Sequence, residues 1–451
     1  MNALRYTLAI AVSIAALSTA LAEARPAHDP RAIRTLERLI EATEGDDPDL
    51  PALLLRLADM YSQSASFWRH KAFQAGDDET AATALQDKAR AAAEKALASY
   101  KRLVEEPTFA QYERRHEAVY LYSLQLREIG QEQAGLQALQ QLLKHHPTSR
   151  YVPDAYLAFA DHYFNQAALA TAAKFYDKVL LFPKSSVYHY ALYKKAWVKL
   201  NLGEYSVALE LFHQVQATAP PRQRQLAIEA RKDFVRAYSH VGKPKAAYRL
   251  FQDMDRKGAL GLMEKLAGLY FDQGKLLDAI EAYQQLMRLQ PADSRVCDWQ
   301  LRVLQAQLSL GKMTAQVAAA REAVAVAQRL GNATCHEQVR GQIAQLARTW
   351  HRETAKVLTN APHEAADAMY SLYRARYADA EDALEMTFFH GQLLALHADR
   401  LSDRAETRAT WLRAAKAFDE VAQASGASAE RRAEARQAAA DARMRADALR
   451  P

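Results

Sequence analysis

The segment YFDQGKLLDAIEAYQQLMRLQP, residues 270–291, carries a small residue, an aromatic residue and a proline at fixed distances from a glycine. Gly274 is followed by Ala279, Tyr283 and Pro291, which lie five, nine and seventeen residues later. A small residue lets a neighbouring helix approach closely, and an aromatic residue four positions on fills the space beside that contact. Proline then ends the helix. The segment predicts the second helix of a closely packed helix pair.

The same pattern recurs upstream at a nearly constant period. Residues 203–212 and 242–251 repeat the glycine, the small residue and the aromatic at the same offsets, and looser copies lie within 94–107, 130–147 and 168–183. The small residue falls at positions 96, 135, 172, 208, 247 and 279, with spacings of 39, 37, 36, 39 and 32 residues. One helix pair cannot bury its apolar face alone. The repeat therefore predicts stacked pairs that share a continuous core.

These residues resemble the tetratricopeptide repeat, whose nominal period is about 34 residues. The resemblance covers residues 90–291 and is closest over 263–291. It implies an all-α fold, a right-handed α-solenoid of tetratricopeptide-type helix pairs with a helical C-terminal extension. The first helix of each pair would then build most of a concave face. Residues 53–65 and 151–212 are also similar to exported repeat proteins of myxobacteria, some of which belong to the gliding-motility machinery of the cell envelope.

The repeat pattern also suggests how the chain is divided. We predict a signal peptide at 1–22, a lead-in at 23–50, a solenoid at 51–330 and a degenerate helical region at 331–451. The first pair is expected to be elongated or interrupted, because the acidic GDDET at 76–80 delays its second helix. The final stretch, 428–450, is rich in alanine and arginine and is either a solvated capping helix or a frayed tail.

The N-terminus has the pattern of a secretory signal peptide. Arg5 precedes a run without charge from Tyr6 to Ala22, which closes on Ala20-Leu21-Ala22. The alternative is an uncleaved anchor, but a membrane span usually needs about 20 apolar residues. We therefore predict cleavage after Ala22 and a periplasmic or otherwise exported protein with no stable membrane insertion. The net charge of +6 is too small over 451 residues to indicate a nucleic-acid partner.

The two cysteines are predicted to form a disulfide. Cys297 and Cys335 lie 38 residues apart, about one repeat, and each begins a helix of the same type. An oxidising compartment would favour the bond. The geometry is demanding, because adjacent helix axes usually lie about 8–10 Å apart, whereas a disulfide needs a Cα separation of about 4.4–6.8 Å.

The sequence offers little that indicates catalysis. It contains no glycine-rich phosphate loop, nucleophile elbow or CxxC motif. The adjacent His145 and His146 would face different directions on a helix, which disfavours a shared metal ion. We predict no enzyme activity, no metal site and no cofactor.

One helix carries a candidate binding stripe. At the i, i+3, i+4, i+7 and i+11 positions lie Tyr190, Tyr193, Lys194, Trp197 and Asn201, and the next two first helices offer Lys232, Arg236 and Lys265. Aromatic and basic groups on a concave face suit an extended peptide or an acidic chain end. The alternative is that Tyr193 and Trp197 pack between repeats and that the charges form an ordinary solvated face.

Together these features predict a non-catalytic scaffold that binds an envelope protein or peptide through its concave face. The resemblance adds a gliding-motility or envelope-assembly complex as its setting. One alternative is a peptidoglycan- or carbohydrate-associated factor, in which the Tyr/Trp stripe would stack on sugar rings. Another is an enzyme whose C-terminal domain is helical.

Overall fold

The computed structural model describes residues 28–76, 78–357 and 359–450. Within these ranges the chain forms twenty α-helices and two short 3₁₀-helices, and no β-strand. The predicted all-α class is confirmed. The chain divides into two compact units, Met1–Ala237 and Tyr238–Pro451. The predicted signal peptide, 1–22, lies outside the described residues, and cleavage after Ala22 stays a prediction.

The helices of the first unit follow one another with short connections. They are α1 (Pro30–Ala42), α2 (Leu50–Gln74), α3 (Glu79–Glu105), α4 (Arg115–Glu128), α5 (Glu132–His145), α6 (Val152–Asn165), α7 (Leu169–Leu180), α8 (Tyr188–Asn201) and α9 (Tyr205–Thr218). Helix α10 (Arg224–Val241) carries the boundary between the two units. Consecutive helices from α1 through to α9 pack against each other, and the first helices α6 and α8 also touch. The short turns make each pair antiparallel.

The residues that define the repeat lie in the interior of the first unit. The small residues Ala96, Ala172 and Ala208 are fully buried, and so are the aromatic residues Tyr176 and Phe212 that follow two of them. Gly135 is buried at the equivalent position. A larger side chain at these contacts would push two helices apart, which explains why the period marks small residues.

The turns within the pairs recur with the same period and use left-handed backbone. Gly130 and Gly203 have φ values of 87° and 78°. Between them, at the corresponding place, lies Ala167 with φ 58°. Left-handed backbone costs a residue with a Cβ about 1–2 kcal/mol. The pair formed by α6 and α7 therefore keeps the turn of its neighbours at some energetic cost.

Before the regular pairs, the N-terminal region is helical as well. The lead-in contains α1, whose first turn is capped by the Asp29 side chain, which accepts hydrogen bonds from the backbone N–H groups of Arg31 and Ala32 at 2.9 and 3.1 Å. Helices α2 and α3 span 25 and 27 residues. The first predicted pair is thus elongated.

The second unit continues with helices that also pack in sequence order. They are α11 (Pro244–Met254), α12 (Ala259–Asp272), α13 (Leu276–Leu289), α14 (Val296–Leu310), α15 (Met313–Leu330), α16 (Ala333–Lys356), α17 (Ala361–Arg376), α18 (Ala383–Ala398), α19 (Arg404–Gln423) and α20 (Ala429–Asp447). The C-terminal stretch is a packed helix, because Ala435, Ala439, Ala442 and Ala446 of α20 are buried.

The predicted cysteine pairing is present in the second unit. Cys297 at the start of α14 and Cys335 near the start of α16 form a disulfide with a Cα separation of 5.9 Å. These two helices are equivalent helices of successive pairs, and they touch each other. The stacking of equivalent helices, one repeat apart, therefore brings the sulfurs together.

Among the residues that the structure describes, no helix is both long and apolar enough to cross a membrane.

Candidate ligand-binding cavity of the first unit

A cavity of about 330 Å³ lies among the first helices of three successive pairs. Its apolar lining includes Leu124 from α4, Leu157 from α6 and Val187 immediately before α8. Its polar lining comprises Tyr120, Arg127, Asp154, Asp161, Ser186 and Tyr190. We call this space the α4–α6–α8 cavity. It lies entirely within the first unit.

The repeat register places the polar groups of α6 and α8 in the cavity. Asp154 precedes the buried Ala160 by six residues, and Tyr190 precedes the buried Ala196 by the same number. Equivalent positions on stacked helices lie side by side, so side chains 36 positions apart in the sequence line one space. The repeat that builds the core therefore also builds this cavity.

Asp154 is the most unusual group in the cavity wall. Burial raises the pKa of its carboxyl to about 6, although its own backbone N–H and the Tyr120 hydroxyl partly counter this by hydrogen bonding. Among the described residues no lysine, arginine or histidine forms an ion pair with it. A largely buried carboxylate without a cationic partner is costly, and such groups concentrate at functional sites.

Tyr190 also lacks a partner that its chemistry requires. Its hydroxyl oxygen is buried and has no hydrogen-bond partner among the described residues. Burial raises the pKa of this hydroxyl, and the nearby Asp161 adds to the effect. A buried hydroxyl without a hydrogen bond costs about 1–3 kcal/mol. The cavity thus contains a hydroxyl group, of Tyr190, and a carboxylate, of Asp154, whose hydrogen-bonding and charge requirements are incompletely met.

Lys194 is not part of an open surface, so the expectation that it faces an exposed groove is wrong. The residue is only 2% exposed. Its Nζ lies 3.8 Å from Asp161 Oδ1 and 3.9 Å from the centroid of the Phe164 ring. The Tyr176 hydroxyl donates a hydrogen bond to the same Asp161 oxygen at 2.5 Å. Lys194 therefore neutralises a buried carboxylate within the helix stack.

The pKa values of this pair show how strongly burial acts there. Burial lowers the pKa of Lys194, and the charge of Asp161 opposes that shift. Burial likewise raises the pKa of Asp161, which Lys194 and the Tyr176 hydroxyl oppose. Each charge is tolerable because the other is present.

Tyr193 and Trp197 of the predicted stripe make packing contacts. Tyr193 donates a hydrogen bond to Asp233 Oδ2 at 2.6 Å, and its ring meets Phe212 edge-on. The Trp197 ring also meets Phe212 edge-on, and the Arg236 guanidinium lies 5.6 Å from the Trp197 ring centroid. These contacts support the packing alternative for Tyr193 and Trp197.

The remaining predicted site residues are not among the lining residues of the cavity. Asn201 is exposed at the end of α8. Lys232 pairs with Glu229 at 2.9 Å, and Arg236 lies 3.7 Å from Asp233. Lys265 lies on α12 in the second unit, so it belongs to a different compact unit from the stripe. Whether these residues contact a partner stays a prediction.

Asp154, Asp161 and Tyr120 were missed as site residues. The signal was available, because Asp154, Leu157 and Asp161 occupy on α6 the positions that Tyr190, Tyr193 and Trp197 occupy on α8. The stripe on α8 contains aromatic and basic groups, and the equivalent stripe on α6 contains the two carboxylates.

The second unit has cavities of its own. One of about 690 Å³ lies among α13, α14 and α15, where Gln300 and Gln307 are among its lining residues. Another of about 340 Å³ is lined by Arg340 and Arg348, which both bind Asp382. Within the described ranges, no group of three or more His, Cys, Asp or Glu side chains is suited to hold a metal ion. The α4–α6–α8 cavity differs from these two because its unpaired carboxylate, Asp154, is largely buried, whereas Glu322 in the wall of the larger cavity is exposed.

Comparisons with known proteins give distant similarities. No family model matches the chain, and no curated protein does. A tetratricopeptide repeat protein from Parabacteroides merdae is 16% identical with a TM-score of 0.32, over 61% of this chain and 97% of that one. The structure of Naa15/Naa10 bound to HypK-THB is 15% identical with a TM-score of 0.32, and the match covers 92% of this chain and 67% of that one. The Rap protein complexed with competence and sporulation factor is 13% identical with a TM-score of 0.27, and the match covers 87% of this chain and 100% of that one. These values assign neither family nor partner.

Proposed function

We propose that this chain is a non-catalytic, exported scaffold that binds an envelope protein or peptide at the α4–α6–α8 cavity. The observation that carries the proposal is the cavity itself, which three successive first helices build and which holds a buried carboxylate and a hydroxyl without full partners. Helix stacks offer extended surfaces for chain segments, and a polar group left unsatisfied in a cavity is available to a ligand.

The setting of this scaffold is part of the proposal. The N-terminal sequence supports export to the periplasm, and the resemblance of residues 53–65 and 151–212 supports a gliding-motility or envelope-assembly complex. The disulfide between Cys297 and Cys335 is compatible with an oxidising compartment. The carbohydrate alternative loses support, because the Tyr193 and Trp197 rings that would stack on sugars pack against Phe212.

The test is site-specific photo-crosslinking in cells that export the protein. A photoreactive amino acid replaces Ser186, which is exposed and belongs to the cavity lining, and in a matched variant it replaces Gln137, which is exposed on α5 outside that lining. We expect one protein partner to crosslink at position 186 and not at position 137, as mass spectrometry of the adduct would show.

Two outcomes would contradict the proposal. One is equal crosslinking from both positions, which would indicate non-specific contact. The other is the absence of a protein adduct at position 186. Retention of the protein on purified peptidoglycan would then favour the carbohydrate-associated alternative.

A further inference from the structure

The α4–α6–α8 cavity has the size and lining of a site for one side chain. Its volume of about 330 Å³ lies at the small end of ligand pockets, which span about 300–1,000 Å³. Leu124, Leu157 and Val187 offer apolar walls that suit a methylene stem. Long basic side chains bury such stems along apolar surface while their charged ends seek polar groups.

The charges in and beside the cavity leave one position open for a cation. Arg127 is engaged by Glu132, with Nε to Oε2 at 3.1 Å, and Lys194 is engaged by Asp161. Asp154 has no such partner among the described residues. A cation bound beside Asp154 would therefore supply an attraction that the folded protein itself leaves unmet.

The Tyr190 hydroxyl strengthens this assignment. It lines the same cavity, is buried and makes no hydrogen bond in the described part of the chain. Hydroxyl oxygens accept hydrogen bonds, and both ammonium and guanidinium groups have several to donate. One incoming group could thus satisfy the carboxylate and the hydroxyl together.

We propose that the cavity receives one basic side chain, of lysine or arginine, from an extended peptide segment of the partner, with Asp154 and Tyr190 as its polar contacts. This inference rests on the proposed function, because it names the chemistry by which the scaffold would recognise its partner. The bound charge would meet Asp154, and the stem would lie against the leucines.

The test measures fluorescence anisotropy with the full mature chain and labelled pentapeptides. The probes are Ala-Ala-Lys-Ala-Ala, its arginine counterpart and a form with Nε-acetyl-lysine, all with blocked ends. Acetylation keeps the stem and removes the charge. We expect either basic peptide to bind at least tenfold more tightly than the acetylated one.

Two cavity variants and one control locate the binding. Asp154→Asn should weaken binding of the basic peptides at least tenfold, and Tyr190→Phe at least threefold, because each removes one polar contact. Gln137→Ala, at an exposed position on α5 outside the cavity lining, should leave binding unchanged. Circular dichroism of each variant checks that it remains helical. If Asp154→Asn fails to fold, Tyr190→Phe alone tests whether the peptides bind in the cavity.

Several results would overturn the inference. They are equal binding of the acetylated and basic peptides, no binding of any peptide, and unchanged binding by the cavity variants. These results are separable from failure of the proposed function. If a partner crosslinks at position 186 through a neutral or acidic segment, the scaffold function is supported and the basic side chain is contradicted. If no partner crosslinks there, the scaffold function itself is contradicted.

Discussion

Replacing Asp154 by asparagine should stabilise the protein at neutral pH, which is unusual for a change inside a helix stack. The carboxyl has a pKa of about 6 in the folded protein, against about 3.9 in an unfolded chain. A difference of about two pH units corresponds to about 3 kcal/mol. Because the side chain keeps partial access to water, we expect about 1–2 kcal/mol to be realised.

The size of the stabilisation depends on pH in a defined way. A raised folded-state pKa means that the folded protein holds the proton more tightly than the unfolded chain does. The stability associated with this group is therefore fully present below about pH 4 and is lost as the pH rises through about 6. The groups that share the cavity, Tyr120, Arg127, Asp161 and Tyr190, are unchanged in the asparagine variant.

The assay is urea unfolding, followed by circular dichroism, of the parent protein and the Asp154→Asn variant at pH 4, 6 and 7.5. The variant should be more stable by about 1–2 kcal/mol at pH 7.5 and equal within about 0.5 kcal/mol at pH 4. A variant that is less stable at pH 7.5, or an advantage that does not shrink as the pH falls, would refute the reasoning.

Asp161→Asn is the matched control, because it makes the same substitution on the same helix. Asp161 accepts a hydrogen bond from Tyr176 and balances the buried Lys194. Its replacement leaves the lysine without a counter-charge, so we expect a loss of about 3 kcal/mol at pH 7.5. The same substitution at two carboxylates of one cavity should thus change the free energy of unfolding in opposite directions.

Further predictions concern the stacking, a turn, the disulfide and export. Ala196→Leu should lower the unfolding free energy by about 1–3 kcal/mol in urea unfolding, because Ala196 is fully buried. Ala167→Gly should raise it by about 1 kcal/mol in the same assay, because glycine adopts positive φ without strain. Replacing Cys297 and Cys335 together by alanine should lower the unfolding free energy by about 2–4 kcal/mol. Reductant should then cause no further change in the stability of this variant. Intact-mass measurement of exported protein should show that residues 1–22 are absent, and retention of Met1 would contradict this.

The sequence by itself determined the helix pairs and their period. A close helix contact requires a small residue, and this requirement leaves a mark in every copy. A short turn favours left-handed backbone, which glycine marks in several copies but not in the pair that has Ala167. The marks at Ala172, Ala208 and Gly203 are therefore readable without coordinates. The Cys297–Cys335 pairing followed from the same period, because equivalent positions of stacked repeats are neighbours.

Only the tertiary structure decided the character of the candidate site. Whether Lys194 is a surface cation or a buried partner depends on Asp161, which lies 33 residues earlier on another helix. The presence of Asp154 and Tyr190 in one cavity depends likewise on how two helices are stacked. Helical periodicity states which face of one helix a residue occupies. The charge balance and the burial of that face depend on what the neighbouring helices bring to it, and no single-helix pattern contains that information.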